Sequence, residues 1–310
     1  MNTFFWNAYK RLEKEVLALS EDIHFDDDQL GVYSPRIGDL LVRTVIEIES
    51  LSKELYFANG GKEPEDGGDL YFDTICLKDL EDKWLLSKKK VVIVSPYFYF
   101  TKTENIVLLP LHKAYKRGKS GAKWKRAYQD VKHDRINNLK EGNVGNLLNA
   151  LAALYVLNVY YGDKSYYLGE DYEARKIDWG LGSEIFAVKV SPEDRNPSMK
   201  APYVKKRDYE ECVYLVKATD GVIKDYLELL HKITRETHLE SEKVVKQTLA
   251  EKMNNGEYPT NNAELNRLVE SLFAQNNSES FKRVGERHIE EINRVYSALR
   301  YEAVLNKNQY

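Results

Sequence analysis

Cysteine is nearly missing from this chain of 310 residues, with only Cys76 and Cys212 present. Far apart in sequence, they fit neither a disulfide framework nor a paired metal knuckle and read as reduced core residues. Histidine is sparse too, at six, and no pair has metal-ligand spacing; His231 and His238, seven apart, read as helix-surface residues. There is no dinucleotide fingerprint and no serine-nucleophile motif, so neither a metal nor a cofactor is expected. No apolar run approaches the roughly 18 residues that cross a bilayer, which argues against a membrane-spanning protein. The start of the chain, with Phe4, Phe5 and Trp6, lacks the basic flank, long apolar region and small-residue cleavage site of a secretory signal. The expectation is a soluble, cytoplasmic protein.

Charge is present in quantity and unevenly spread. The net charge of -3 conceals 17 acidic and 8 basic residues in positions 1–80, against 10 basic and 2 acidic in positions 113–140. An acidic region and a strongly basic segment therefore coexist, and the basic one is the natural place to look for an anionic partner.

Apolar spacing predicts a mainly α protein: a helical bundle with a small β hairpin insertion and a mostly helical C-terminal half. Phe5, Tyr9, Leu12, Val16 and Leu19 recur at three- and four-residue steps, giving a helix over about 3–19. Ser34 before Pro35 is a good helix start, and Ile37, Leu40, Leu41, Ile48, Leu51 and Leu55 carry that helix to about Phe57. The acidic run Asp26 to Asp28 and the stretch Gly60 to Gly68 read as breaks. Between Asp69 and Leu111 the pattern changes to a short helix at Leu77–Leu86, then β-branched and aromatic residues over Val91–Phe100 and an apolar run at Ile106–Leu109, so a hairpin or extended arm is expected. Val144–Tyr161 is apolar on nearly every face, as a helix enclosed by others would be. A first domain over 1–162 and a second over 163–310 follow. In the second, Ser183–Val190 reads as one strand, Ser191–Pro202 as a loop, and Tyr209–Ile233, Ser241–Met253, Asn262–Ala274 and Ser280–Tyr301 as helices.

If 122–138 is one helix, its roughly 100° step puts Trp124, Ala127, Tyr128 and Val131 on one side and Arg126, Asp130, His133 and Asn137 on nearly the opposite side. That polar stripe is either a solvated face or the lining of a groove or subunit interface. It joins a guanidinium, a carboxylate and an imidazole, groups that hold a phosphate, orient a base and move a proton near neutral pH. Arg135 points to the apolar side in that helix and needs a carboxylate, for which Glu47 and Glu49 are candidates. Lys116-Arg-Gly-Lys-Ser-Gly121 lacks the spaced first glycine and preceding strand of a phosphate loop and reads as a flexible basic loop.

The helix pair, the basic segment and Arg126-Ala-Tyr-Gln-Asp-Val-Lys-His133 resemble the HEPN superfamily over about residues 1–162. The resemblance implies an arginine–histidine motif on a helix at a homodimer cleft, and metal-independent endoribonuclease activity of the kind found in toxin and antiviral defence systems. Carried over, His133 would move protons on and off the ribose 2′-hydroxyl and the leaving oxygen, Arg126 would stabilise charge on the phosphorane, and Asp130 would orient the histidine. Lys116, Arg117, Lys119, Lys123, Lys125, Lys132 and Arg135 are the candidate RNA contacts, with Tyr115, Trp124 and Tyr128 placed to stack on bases. The family's motif allows four to six residues between the arginine and the histidine, and Arg283 and His288 form a second such pair, with four between them, among Glu286, Glu290 and Glu291, a mixed-charge setting that reads as a solvated face. A non-catalytic helical interaction module is the alternative, with the basic segment neutralised by neighbours such as Asp26 to Asp28 and Glu63 to Asp66.

Overall fold

A computed structural model describes residues 3–65, 67–192, 206–257 and 259–309. The chain forms two compact units, one built from Met1–Arg195, Tyr203–Lys217 and Glu302–Tyr310, the other including Ala218–Tyr301. The fold is mainly α. The first unit starts with α1 (Phe4–Leu19), which buries Phe5, Tyr9, Leu12, Val16 and Leu19, the residues whose spacing marked its inner face. In α2 (Pro35–Ala58) the Ser34 hydroxyl accepts from the Ile37 N–H at 3.2 Å, and Pro35 occupies the first turn, where no N–H is needed. After a π-type turn at Phe72–Leu77 come α3 (Lys78–Trp84), β1 (Val91–Ile93), the one-turn α4 (Thr103–Ile106) and β2 (Val107–Leu108).

The expected hairpin is present but short. Val91 pairs antiparallel with Leu108 on one side and with Val188 of β4 (Phe186–Val188) on the other. Most of the aromatic stretch to Phe100 is therefore not strand. Two further helices follow β2, α5 (Lys123–His133) and α6 (Arg135–Asn138), and then α7 (Val144–Gly162), which is buried along almost its whole length between its neighbours. It is the one helix among the described residues long and apolar enough to cross a membrane by length and composition, and 83% of its most apolar window lies inside the fold. Helices α1, α2 and α5 all pack on α7, and α2 also contacts α1 and α5. Where α2 passes the segment before α7 the backbones nearly touch. A Cβ on Gly142 would lie 2.8 Å from the Gly38 Cα.

Strand β3 (Tyr166–Gly169) joins β5 (Val190–Ser191), β6 (Tyr214–Ala218) and β7 (Tyr301–Leu305) in a sheet of order β3-β7-β6-β5. The single strand expected over Ser183–Val190 is thus two, β4 and β5, belonging to different sheets. The helix expected from Tyr209 is also corrected: Tyr209–Glu211 is a 3-10 turn and Tyr214–Ala218 a strand, because Val190 pairs with Tyr214, a partner too distant in sequence for local spacing to reveal. Most of the expected Ser191–Pro202 loop lies outside the described residues.

A buried carboxylate ties α1 to the start of β4. Glu13 is fully enclosed and accepts from the Tyr9 hydroxyl at 2.7 Å, from the Ser183 hydroxyl and from the Glu184 N–H at 2.9 Å, with Lys10 also paired to it. Burial alone would raise this carboxyl, but the hydrogen bonds from Lys10, Ser183 and Tyr9 outweigh it and hold the group below its ordinary value.

The second unit holds α8 (Asp220–Asn254), α9 (Asn262–Arg287) and α10 (Ile289–Ala298), around a small core of Leu229, Ile233, Val284 and Val295. The helices expected to break between Ile233 and Ser241 and between Ala274 and Ser280 are continuous. The one expected over 280–301 is instead divided at His288.

Candidate functional site

Helix α5 is amphipathic in the way its sequence requires: Trp124, Ala127, Tyr128 and Val131 are buried, while Lys123, Arg126, Gln129, Asp130 and His133 are exposed. It does not continue to residue 138. Asp134 leaves helical geometry at φ -147, ψ 76 and caps the next turn, its carboxylate accepting from the Asn137 N–H at 3.3 Å. Two expectations change with that break. Asn137 is held by Asp134, its amide donating at 2.8 Å, and leaves the polar stripe. Arg135 does not point to the core and does not meet Glu47 or Glu49; it is 46% exposed and pairs with Asp39 of α2 at 2.6 Å.

A groove of about 1090 Å³ lies beside α5, with Glu49 and Lys53 of α2 and the Tyr71–Asp73 segment also on its walls. Arg126 and Asp130 line it; His133 is not among its lining residues. The imidazole Nε2 lies 3.1 Å from the Gln129 Oε1, and Gln129 does line the groove. Arg126 and His133 are seven residues apart on one helix, so they face within about 20° of each other, separated by about 10 Å along the axis.

The basic loop before α5 owes its shape to an ion pair that sequence reasoning missed. Lys125 is 4% exposed, and its ammonium donates to Asp73 Oδ2 at 2.9 Å, to the Ala114 carbonyl at 2.8 Å and to the Lys116 carbonyl. Burial pulls Lys125 below its ordinary value against the opposing effect of Asp73. For Asp73, burial acts upward, but the hydrogen bond and charge of Lys125, the Thr74 N–H and the charge of Arg117 together hold the carboxyl below its usual range. Arg117 shares Asp73 at 3.0 Å and lays its guanidinium 3.8 Å over the Tyr71 ring. Loop closure also needs Gly121, where a Cβ would come 2.6 Å from the Lys116 carbonyl oxygen. The only sequence signal for Asp73 was a lone acid directly after two aromatics, Tyr71 and Phe72.

The expected RNA contacts therefore fall into groups. Lys125 spends all three of its hydrogen bonds on the protein. Arg117 and Arg135 are paired with carboxylates, and Lys132 donates to the Tyr128 hydroxyl at 3.1 Å. Lys116 lies 5.4 Å from the centre of the Tyr115 ring. Lys119, Lys123 and Arg126, with the unforeseen Lys53, line the groove and have no ion-pair partner among the described residues. Of the aromatic side chains expected to stack on bases, Trp124 and Tyr128 are buried. The acidic run does not neutralise this segment: Asp27 instead accepts from the Thr101 hydroxyl at 2.6 Å, the Thr101 and Lys102 N–H groups and Asn105. Those bonds, that of the Thr101 hydroxyl foremost, lower its pKa to about 2. Asp66 lies outside the described residues. Among the described residues no group of three or more His, Cys, Asp or Glu side chains is placed to hold a metal ion. No family model, curated protein or solved structure matches the chain.

Proposed function

We propose that this chain binds single-stranded RNA along the groove beside α5. The observation that carries the reading is the set of four cations, Lys53, Lys119, Lys123 and Arg126, lining one concave surface without ion-pair partners among the described residues. Unpaired cations on a concave surface track a phosphate backbone and release its counterions, whereas paired ones have already exchanged water for a carboxylate.

Within that class the narrower reading is a metal-independent endoribonuclease of HEPN type, working as a cytoplasmic homodimer in toxin or antiviral defence. Arg126 would hold the scissile phosphate at the groove, and a strand running along α5 would bring the adjacent ribose to His133, outside the lining. His133 would take the 2′-hydroxyl proton and return one to the leaving oxygen, with Asp130 one turn away as its electrostatic partner. Incubation of the purified protein with total RNA in chelator tests this: cleavage is expected from the wild type and not from His133→Ala, and equal cleavage by both would remove the mechanism.

A non-catalytic interaction module is the second reading, and the pairing of Arg117 and Lys125 with Asp73 and of Arg135 with Asp39 favours it. It differs in requiring no RNA affinity even at low salt.

A further inference from the structure

We infer that Tyr71 and Arg117 form a stacking platform that takes an unpaired nucleobase of a strand lying in the groove beside α5. The presence of a strand there rests on the RNA-binding reading; the platform adds what the cations do not supply, contact with a base as against a phosphate. Both residues line the groove. The Arg117 guanidinium lies over the Tyr71 ring, its carbon 3.8 Å from the ring centre. Neither partner is closed off by that contact: Tyr71 is 43% exposed and the Arg117 side chain 49%.

The platform is held from beneath. The Tyr71 carbonyl accepts from the Ile75 and Cys76 N–H groups at 3.2 Å each, which fixes the backbone at the entry to the π-type turn, and the next ring, Phe72, is buried. Arg117 donates through Nε to both Asp73 oxygens, at 3.0 and 3.2 Å, and Asp73 is itself clamped by the buried Lys125 ammonium at 2.9 Å. A base that stacks here meets two planes already ordered by the fold, so little side-chain freedom is lost on binding. Asp73 also offsets the charge of Arg117, which therefore attracts phosphate less than Lys119, Lys123 and Arg126 do. Its plane still offers a stacking surface, because a base rests on the flat guanidinium and not on a net charge.

Among the described residues no other ring on the groove is placed for this role. Phe72 is buried, as are Trp124 and Tyr128, and Tyr115 lies outside the lining. In a duplex the base faces are covered by their neighbours in the stack, whereas a single strand can turn a base out onto an aromatic or guanidinium plane. Every base has a π-face, so the platform separates unpaired from paired nucleotides and does not choose among bases.

Fluorescence anisotropy of a labelled single-stranded RNA across a salt series tests the inference, with duplex RNA of the same sequence and inorganic polyphosphate as unlabelled competitors. Tyr71→Leu is expected to weaken single-strand binding about tenfold, as loss of one stacking ring does, and to leave the salt slope, the duplex affinity and the polyphosphate affinity at their wild-type values. Tyr71→Phe, which keeps the ring, is expected to bind as the wild type does. Equal single-strand affinity of the wild type and Tyr71→Leu would overturn the platform and leave the groove standing. A tenfold loss shared by duplex and polyphosphate would overturn it too, since the ring would then serve the groove's shape or charge. An equal loss in Tyr71→Phe would assign the effect to the hydroxyl, with the same consequence. No binding of single-stranded RNA by the wild type at low salt overturns both the platform and the groove.

Discussion

Arg126 with His133 and Arg283 with His288 are two arginine–histidine spacings of one kind, set in opposite surroundings. His288 is 15% exposed and sits between two carboxylates, Glu236 at 2.8 Å from Nε2 and Glu291 at 3.3 Å from Nδ1, with Lys232 also on Glu291 at 2.8 Å. Both of its nitrogens are engaged, and it marks the break between α9 and α10. His133 has one neutral partner, Gln129, and is open to solvent beside a groove with unpaired cations. A spacing therefore says nothing about chemistry until the partners of each ring nitrogen are known. One imidazole has both nitrogens engaged by carboxylates; the other has a single neutral partner and is exposed.

The largest effect that separates the two sites is on cleavage. His133→Ala is expected to lower RNA cleavage by about 10² to 10⁴, the usual worth of a general acid–base group, while His288→Ala leaves it unchanged; single-turnover rates on a labelled RNA would show this. A rate loss confined to the His288 variant would invert the comparison. Next is the ion pair beneath the groove. Asp73→Ala strands a buried ammonium and is expected to destabilise the first unit by about 3 kcal/mol in urea unfolding, and the double variant Asp73→Ala with Lys125→Met is expected to recover most of it. Additive losses in the double variant would mean that the two residues do not act as a pair.

His288→Ala should instead lower the melting temperature of the second unit by a few degrees, since it releases two carboxylates at a helix break; an unchanged melting curve would show that the bracketing contributes nothing. The smallest expected effect is acidic. Asp27 has a folded-state pKa of about 2, below the ordinary ~3.9 of aspartate. Its contribution is thus fully present above about pH 4 and is lost as the pH falls toward 2, and Asp73, also lowered, acts in the same sense. An NMR titration giving Asp27 an ordinary carboxylate pKa would remove its hydrogen bonds to Thr101 and Asn105 from the picture.

Much of the helical core was legible because its signals are local. The stripes of α1 and α2, the Ser34-Pro35 start and the all-round apolar α7 each declare themselves within one window of sequence. What was not legible depended on distant partners. Tyr214–Ala218 carries apolar residues that suit either a helix or a strand, and pairing with Val190 decides it. On α5, the exposed positions of Arg126, Asp130 and His133 follow from periodicity. The break at Asp134 had a readable cue, an acid three residues ahead of Asn137, yet the apolar count ran through it. Which cations stay unpaired was beyond the sequence, because Asp73 lies 52 residues from Lys125 and 44 from Arg117. Ten positive charges in a row of 28 residues reduce, in the fold, to a few that face the groove without a partner.

The affinity of a fluorescent single-stranded RNA, measured across a salt series for the wild type and for Lys123→Gln with Arg126→Gln, tests the groove most directly. The expected result is binding that weakens steeply with salt in the wild type, and in the variant a weaker affinity with a log–log slope shallower by about 1.4, two phosphate contacts at about 0.7 each. Affinity and slope identical in the two proteins, or no binding by the wild type at low salt, would contradict it.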